Sequence, residues 1–369
     1  MSFVEETIDR ALTAAGLAGR AGSVRRAIDS ALTRAGLLHR APAAKEAGPQ
    51  LLKELNGIHV PVPEEIGPTE GAPDPGFTSH LHEGSRGSLA YKLFVPSSYS
   101  GQPLPLIVML HGCKQNPDDF AAGTRMNLVA EQRGFLAVYP AQDVRANGSN
   151  CWNWFNTAEQ GRDGREASLI AGIVDEVAQR VATSRSQVFV AGLSAGGAMA
   201  VILGNGYPDL FAGMAVHSGL PLGAANDVPS ALAAMRGRGT SMASPGRMAA
   251  TSSQRGVRTL VLHGDADFTV SASNGDAVVG QAVAAFERAG GPLSATPALT
   301  KQINGRQAVR VDYANAQGEV MVRDLRVHGG GHAWFGGSPT GSFTDATGPD
   351  ASTEIASFFL PEEQRSVGD

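Results

Sequence analysis

The chain has 369 residues, 42% of them hydrophobic and 18% charged, with a formal net charge of −5. That length admits one large or two modest domains, and the acidic balance gives no electrostatic case for nucleic acid or an anionic membrane as partner. No apolar run approaches the ~20 residues that a membrane span needs.

The N-terminus, MSFVEETIDRALTAAG, carries acids early and lacks a basic segment leading into an apolar core, so it does not read as a signal peptide. A short repeat follows: TIDRALTAAGL (Thr7 to Leu17) recurs as AIDSALTRAGL (Ala27 to Leu37). In each copy Ile and two Leu fall at helical spacing, with Gly near the end, which predicts two short amphipathic helices. Residues 1–40 are therefore expected to form a helical extension, packed on the main body, on a second copy of itself or on a hydrophobic surface. Residues 41–78, rich in Pro, Gly, Ala and Glu, read as an extended linker.

From residue 79 to about 362 the pattern becomes strand, loop, helix, repeated. Ser88 to Pro96 alternates like a strand, while PLIVMLHG (Pro105 to Gly112) and GFLAVYP (Gly134 to Pro140) are continuous apolar runs, as central parallel strands require. A helix is predicted over Phe120 to Arg133 and another over Ser168 to Ala182. Strands are expected at Ser186 to Gly192, Phe211 to Val216 and Val257 to Leu262. Residues 223–253, rich in Ala, Ser, Gly and Met, interrupt the alternation as a mobile or short-helical excursion. Residues 306–328 read as a β-hairpin turning near Ala316 to Gly318, and a last helix spans Ser352 to Leu360. The expected class is α/β, with a mostly parallel sheet and helices on both faces.

The segment VAGLSAGGA holds G-x-S-x-G at Gly192, Ser194 and Gly196, between an apolar strand and a helix-compatible run. That context is the one a nucleophile elbow needs. A serine hydroxyl requires a base, and the base a carboxylate that fixes its tautomer. Asp267 follows the strand Thr259 to Leu262 in HGDADFTV, where the acid belongs, with Asp265 as its competitor. His332, in VHGGGHAWFGG, is the expected base, because the flanking glycines let its backbone come close to the serine. His80 and His82 precede the first predicted strand, and His217 and His328 stand at strand ends, so they compete poorly. Two N–H donors are needed for the oxyanion, and Ala195 and Cys113 are nominated.

The two cysteines, Cys113 and Cys151, stand in loops expected on the same face as Ser194. They read as two separate buried thiols or as one bridge. A bridge would close about 38 residues, stabilise by roughly 3–4 kcal/mol, and favour an oxidising compartment over the cytoplasmic one that the N-terminus suggests. Trp152, Trp154, Trp334 and Phe335 cluster in two loops beside these residues, and are expected to wall a substrate cleft. No metal or cofactor is expected, since zinc-ligand spacings, EF-hand loops and phosphate or dinucleotide loops are not found in the sequence.

Together LHGCKQN, CWNWF, GLSAGGAMA, HGDADFTV and GGGHAWFGG resemble the esterase family of short-chain polyhydroxyalkanoate (poly-3-hydroxybutyrate) depolymerases, which is related to bacterial feruloyl and acetylxylan esterases. The resemblance covers residues 84 to 360. It implies an α/β-hydrolase fold, a triad of Ser194, Asp267 and His332, and a disulfide between Cys113 and Cys151 beside the oxyanion hole. A polyester, an oligoester or a small ester is the implied substrate, with the N-terminal helices touching a polymer granule or a second copy of the chain. Where the family pattern has a leader and C-terminal binding domains, this sequence shows repeated helices and a Pro-rich linker. Soluble oligomers, granule-surface polymer and plant-type esters therefore join crystalline polymer as expected substrates.

Overall fold

A computed structural model describes residues 76–238 and 256–361. The repeated helices, nearly all of the linker and residues 239–253 of the excursion lie outside the described residues. The elements run β1 (Phe77–Gly84), β2 (Gly87–Phe94), β3 (Leu104–Leu110), α1 (Pro117–Thr124), α2 (Met126–Arg133) and β4 (Leu136–Pro140). They continue with α3 (Arg165–Arg180), β5 (Thr183–Leu193), α4 (Ala195–Gly206), β6 (Gly213–His217), α5 (Val228–Ala233), β7 (Arg258–Gly264) and α6 (Ala272–Gly290). The last part holds β8 (Ser294–Ala295), β9 (Leu299–Ile303), β10 (Arg306–Ala314), β11 (Val320–Val327), β12 (Trp334–Phe335), β13 (Thr344–Asp345) and α7 (Ala351–Phe359).

One sheet organises these elements, in the order β1-β2-β4-β3-β5-β6-β7-β11-β10-β8, with β9 also pairing β10. From β4 to β11 every neighbouring pair is parallel. Antiparallel pairs close both flanks. The continuous apolar runs of β3 and β4 follow from burial on two faces. Leu106, Val108 and Leu110 of β3 pack with α3 and α4, whereas Ile107 and Met109 pack on the other face with Phe120, Met126 and the α7 phenylalanines. The predicted hairpin is β10–β11, turned at Asn315 to Glu319 with Gly318 at φ 81°.

Two local expectations change. His80 and His82 lie within β1, an edge strand too polar to announce itself, and do not precede the first strand. The single helix expected over 120–133 is two, because Arg125 takes φ 55° and ends α1. That turn aims its guanidinium at Gly336 O (2.7 Å) and Asp350 (3.1 Å), contacts that outweigh helical continuity. The described part of the excursion is α5 and one further turn, Ala234–Arg238. Among the described residues no helix is long and apolar enough to cross a membrane.

Because the central strands are parallel, their carboxyl ends gather at one edge, where ligands of such sheets bind. Cys113, Ser194, Asp267 and His332 follow β3, β5, β7 and β11 respectively. At the opposite end the packing is tight: a Cβ on Gly213 would meet the Phe359 ring at 2.6 Å and Arg258 O at 2.8 Å. Gly213→Ala is therefore expected to cost about 1–3 kcal/mol by overpacking, measured as a lower urea midpoint at unchanged slope. An unchanged midpoint would refute this account of the β6–α7 packing.

Candidate active site

Ser194 stands at φ 58° and ψ −119°, between β5 and α4. This region strains any residue with a side chain, by about 1–3 kcal/mol. Neighbouring backbone holds it there: Ser194 N donates to His217 O (2.9 Å), and Ala198 N donates to Ser194 O (2.9 Å). The turn is tight enough that a Cβ on Gly192 would sit 2.3 Å from Gly196 C, and one on Gly196 would sit 2.1 Å from Leu110 O. Both positions therefore admit only glycine. Ala195 begins α4, and the first amides of a helix have no partner within it.

The structure brings His332 and Asp267 together. His332 Nδ1 donates to Asp267 Oδ2 at 2.7 Å. Asp267 Oδ1 accepts two further bonds, from Thr269 N (2.9 Å) and Val270 N (2.8 Å). Burial pushes this carboxyl up, but the hydrogen bonds from His263, His332 and Val270 outweigh it and hold Asp267 well below the usual carboxylate range. The loops carrying the pair are joined directly, by Asp265 N to Val327 O (3.1 Å) and Ala266 N to Gly330 O (3.0 Å). Asp265 faces elsewhere. Its carboxylate accepts from His328 Nδ1 and Gly329 N, both at 2.7 Å, on the exposed surface.

The loop after β3 abuts the nucleophile, since a Cβ on Gly112 would lie 3.6 Å from Ser194 Cβ. A disulfide joins Cys113 and Cys151, with Cα atoms 4.2 Å apart. Two residues that the sequence reading missed hold these loops. Buried Gln115 accepts from Gly112 N (2.9 Å) and donates to Asp119 Oδ2 (2.9 Å) and Ser342 O (3.0 Å). Buried Glu166 accepts from Asn153 N (2.8 Å), Asn153 Nδ2 (2.6 Å) and Gln142 Nε2 (2.6 Å). Burial pushes its carboxyl up despite these donors. Gln115 could have been found from its place in LHGCKQN. Glu166 opens α3 and carries no local signal.

The aromatic cleft is not observed. Trp152, Trp154, Trp334 and Phe335 are all buried. Their polar atoms explain why: Trp152 Nε1 donates to His111 O (3.0 Å), and Trp334 Nε1 donates to Ser352 Oγ (3.2 Å). Trp334 and Phe335 pack on the His217 ring at 5.1 and 4.6 Å, while Trp154 packs edge-on against Phe155 at 5.7 Å. These rings support the site from beneath. The aromatic side chain left open beside it is Phe268, next to the acid and 97% exposed.

Parallel strands feeding an elbow serine and a carboxylate–histidine pair place the chain among the α/β-hydrolases. An acetyl xylan esterase from Aspergillus awamori shares this fold with a TM-score of 0.56 at 19% identity, covering 76% of this chain and 98% of that one. Within that class the chain belongs to the Esterase PHB depolymerase family, whose model matches residues 89–309. It is 32% identical to poly(3-hydroxyalkanoate) depolymerase C of Paucimonas lemoignei over 63% of this chain and 56% of that protein. It is 30% identical to a poly(3-hydroxybutyrate) depolymerase of Ralstonia pickettii over 71% and 55%, and 33% identical to feruloyl esterase B of Thermothelomyces thermophilus over 38% and 47%. The chain spans about half the length of the curated relatives it matches.

Replacing both cysteines, Cys113→Ala with Cys151→Ala, is expected to lower unfolding stability by about 3–4 kcal/mol. Denaturant titration beside the oxidised parent measures this, and equal midpoints would contradict it.

Proposed function

We propose that the chain is a serine carboxyl-ester hydrolase that cleaves short-chain polyhydroxyalkanoate or its oligomers through an acyl-enzyme. The observation that carries this reading is the 2.7 Å contact between His332 Nδ1 and the buried, ionised Asp267, at the sheet edge where Ser194 holds a strained positive φ. In the proposed cycle Ser194 Oγ attacks the ester carbonyl and passes its proton to His332 Nε2. The amides of Ala195 and Cys113 receive the oxyanion, a role worth about 2.7–4 kcal/mol per donor. His332 returns the proton to the leaving alkoxide, and water then repeats the sequence to release the acid. Asp267 keeps His332 in the Nδ1–H tautomer and stabilises the imidazolium.

The substrate class rests on the family and on the two depolymerases named above. Phe268 offers an apolar face at the rim of the site that suits such a chain. The division into residues 1–40 as a helical extension, 41–78 as a linker and 79–362 as the catalytic domain belongs to the same proposal. The amphipathic repeats at Thr7 to Leu17 and Ala27 to Leu37 are assigned to granule contact or self-association.

Ser194→Ala is expected to lower kcat/KM for p-nitrophenyl butyrate by at least about a thousandfold at an unchanged melting temperature. Asp267→Asn is expected to cost orders of magnitude and Asp265→Asn little; the reverse result would exchange the acid. A panel of 3-hydroxybutyrate oligomers, amorphous polymer granules, methyl ferulate and acetylated xylan tests the substrate, and preference for either of the last two would replace it.

The acid side of the pH profile follows from the same geometry. Burial holds His217 neutral down to about 3 and His111 down to about 4, and Asp267 stays ionised throughout this range. The proposed cycle uses one base, His332. Log kcat/KM is therefore expected to fall with a slope of one on the acid side. A slope of two would show a second titrating group in the mechanism.

A further inference from the structure

His263, near the end of β7, is fully buried among the apolar residues Leu260, Val261 and Leu262 of the same strand. Among the described residues its Nδ1 has no hydrogen-bond partner. An orphaned buried nitrogen costs about 1–3 kcal/mol, and a leucine there would avoid that cost. The imidazole is therefore expected to do something that an apolar side chain cannot.

Its geometry says what that is. Nε2 lies 2.9 Å from Val270 O, and a carbonyl only accepts, so the proton sits on Nε2. The same Nε2 lies 3.5 Å from Asp267 Oδ2, the oxygen that receives His332. Val270 closes a ring, giving its own N–H to Asp267 Oδ1 while its carbonyl takes the His263 proton. We infer that His263 is a positioning residue of the catalytic carboxylate: its Nε2–H, shared between Val270 O and Asp267 Oδ2, fixes the rotamer in which Asp267 meets His332. The inference rests on the triad reading given above.

The other edge of the ring is closed in by α6. A Cβ on Gly275 of α6 would stand 2.8 Å from Nδ1 and 3.2 Å from the Arg326 guanidinium, so only a glycine lets the helix close over that nitrogen. Arg326 itself is paired with Asp324 and Asp276. The remaining titratable groups turned toward His263 are His217 on β6, Asp324 on β11 and Asp267 itself. Nδ1 meets no acceptor among the described residues, so the N–H that the ring donates is the one on Nε2, toward Val270 O and Asp267 Oδ2. The 3.5 Å contact is long in the resting site and is expected to shorten as positive charge develops on His332.

Two variants separate donation from bulk. His263→Leu is expected to lower kcat for p-nitrophenyl butyrate by about tenfold or more with KM within about twofold, the kinetic equivalent of one buried hydrogen bond lost. The low-field proton resonance of the His332–Asp267 hydrogen bond should weaken or vanish. His263→Gln, whose amide N–H reaches the Nε2 position, should recover most of kcat and the resonance. Leucine activity within about twofold of the parent overturns the inference, as does a glutamine variant that melts like the parent yet loses as much activity as leucine. In the unmodified enzyme the imidazole nitrogen shifts should report the Nε2–H tautomer of His263, whether or not the leucine variant folds; the Nδ1–H tautomer would overturn the inference. If Asp267→Asn is itself harmless, the triad reading fails first. If Asp267→Asn is crippling while the His263 variants are not, only this inference fails.

Discussion

At Ser194 the chain leaves β5 and enters α4 through a positive φ that a residue with a side chain keeps only under restraint from its surroundings. The surroundings supply it at several points. The carboxyl end of β6 takes the Ser194 amide, and the last carbonyls of β3 press on Gly196 so closely that no side chain fits between. That closeness in turn brings the loop after β3 against the serine, and Gln115 ties this loop to Asp119 and Ser342. Strain at one residue is thus distributed over three strands and two loops.

The electrostatics of the candidate site have one buried carboxylate, Asp267, in contact with a partly exposed imidazole, His332. Asp267 is surrounded by donors, while His111 and His217 are buried and held neutral by that burial. His217 accepts from Phe335 N through Nε2 and carries Trp334 and Phe335 against its ring, which makes it a packed floor and leaves no role for it as a competing base. Among the described residues, His332 is the histidine that combines contact with Asp267 and partial exposure.

The turn at Ser194 and the loops that bring Asp267 and His332 together were legible in the sequence because each is bound to backbone that only particular residues permit. Gly192 and Gly196 could not carry a Cβ, and Gly264 would meet Gly330 O at 2.1 Å if it did. Those glycines mark the motifs, and the motifs mark the strand ends. The tryptophans misled because a loop composition does not say which way a ring points. Trp152 and Trp334 turned inward to satisfy their indole N–H groups on His111 O and Ser352 Oγ, partners 41 and 18 residues away. Gln115 acts on Ser342 across 227 residues, and Glu166 acts on Asn153 through a loop it does not belong to. Such roles arise only after folding and leave no periodicity behind. His80 and His82 show the converse: β1 is half exposed and polar, so its strand has no apolar alternation to read.

Much of what surrounds Ser194 ties the neighbouring loops together. The Cys113–Cys151 bridge, the Gln115 bonds and the Glu166 cluster hold three consecutive parts of the rim from different sides. Hydrogen-bond donors that are already aligned need no reorganisation when charge develops, which is the principal source of rate in such sites. The burial of Glu166 costs free energy, and so does the strained Ser194. Both costs are met during folding by the core beneath the site, where the inward tryptophans lie. The misread aromatics and the catalytic loops are therefore parts of one arrangement: the apolar mass below sets the positions of the polar groups above.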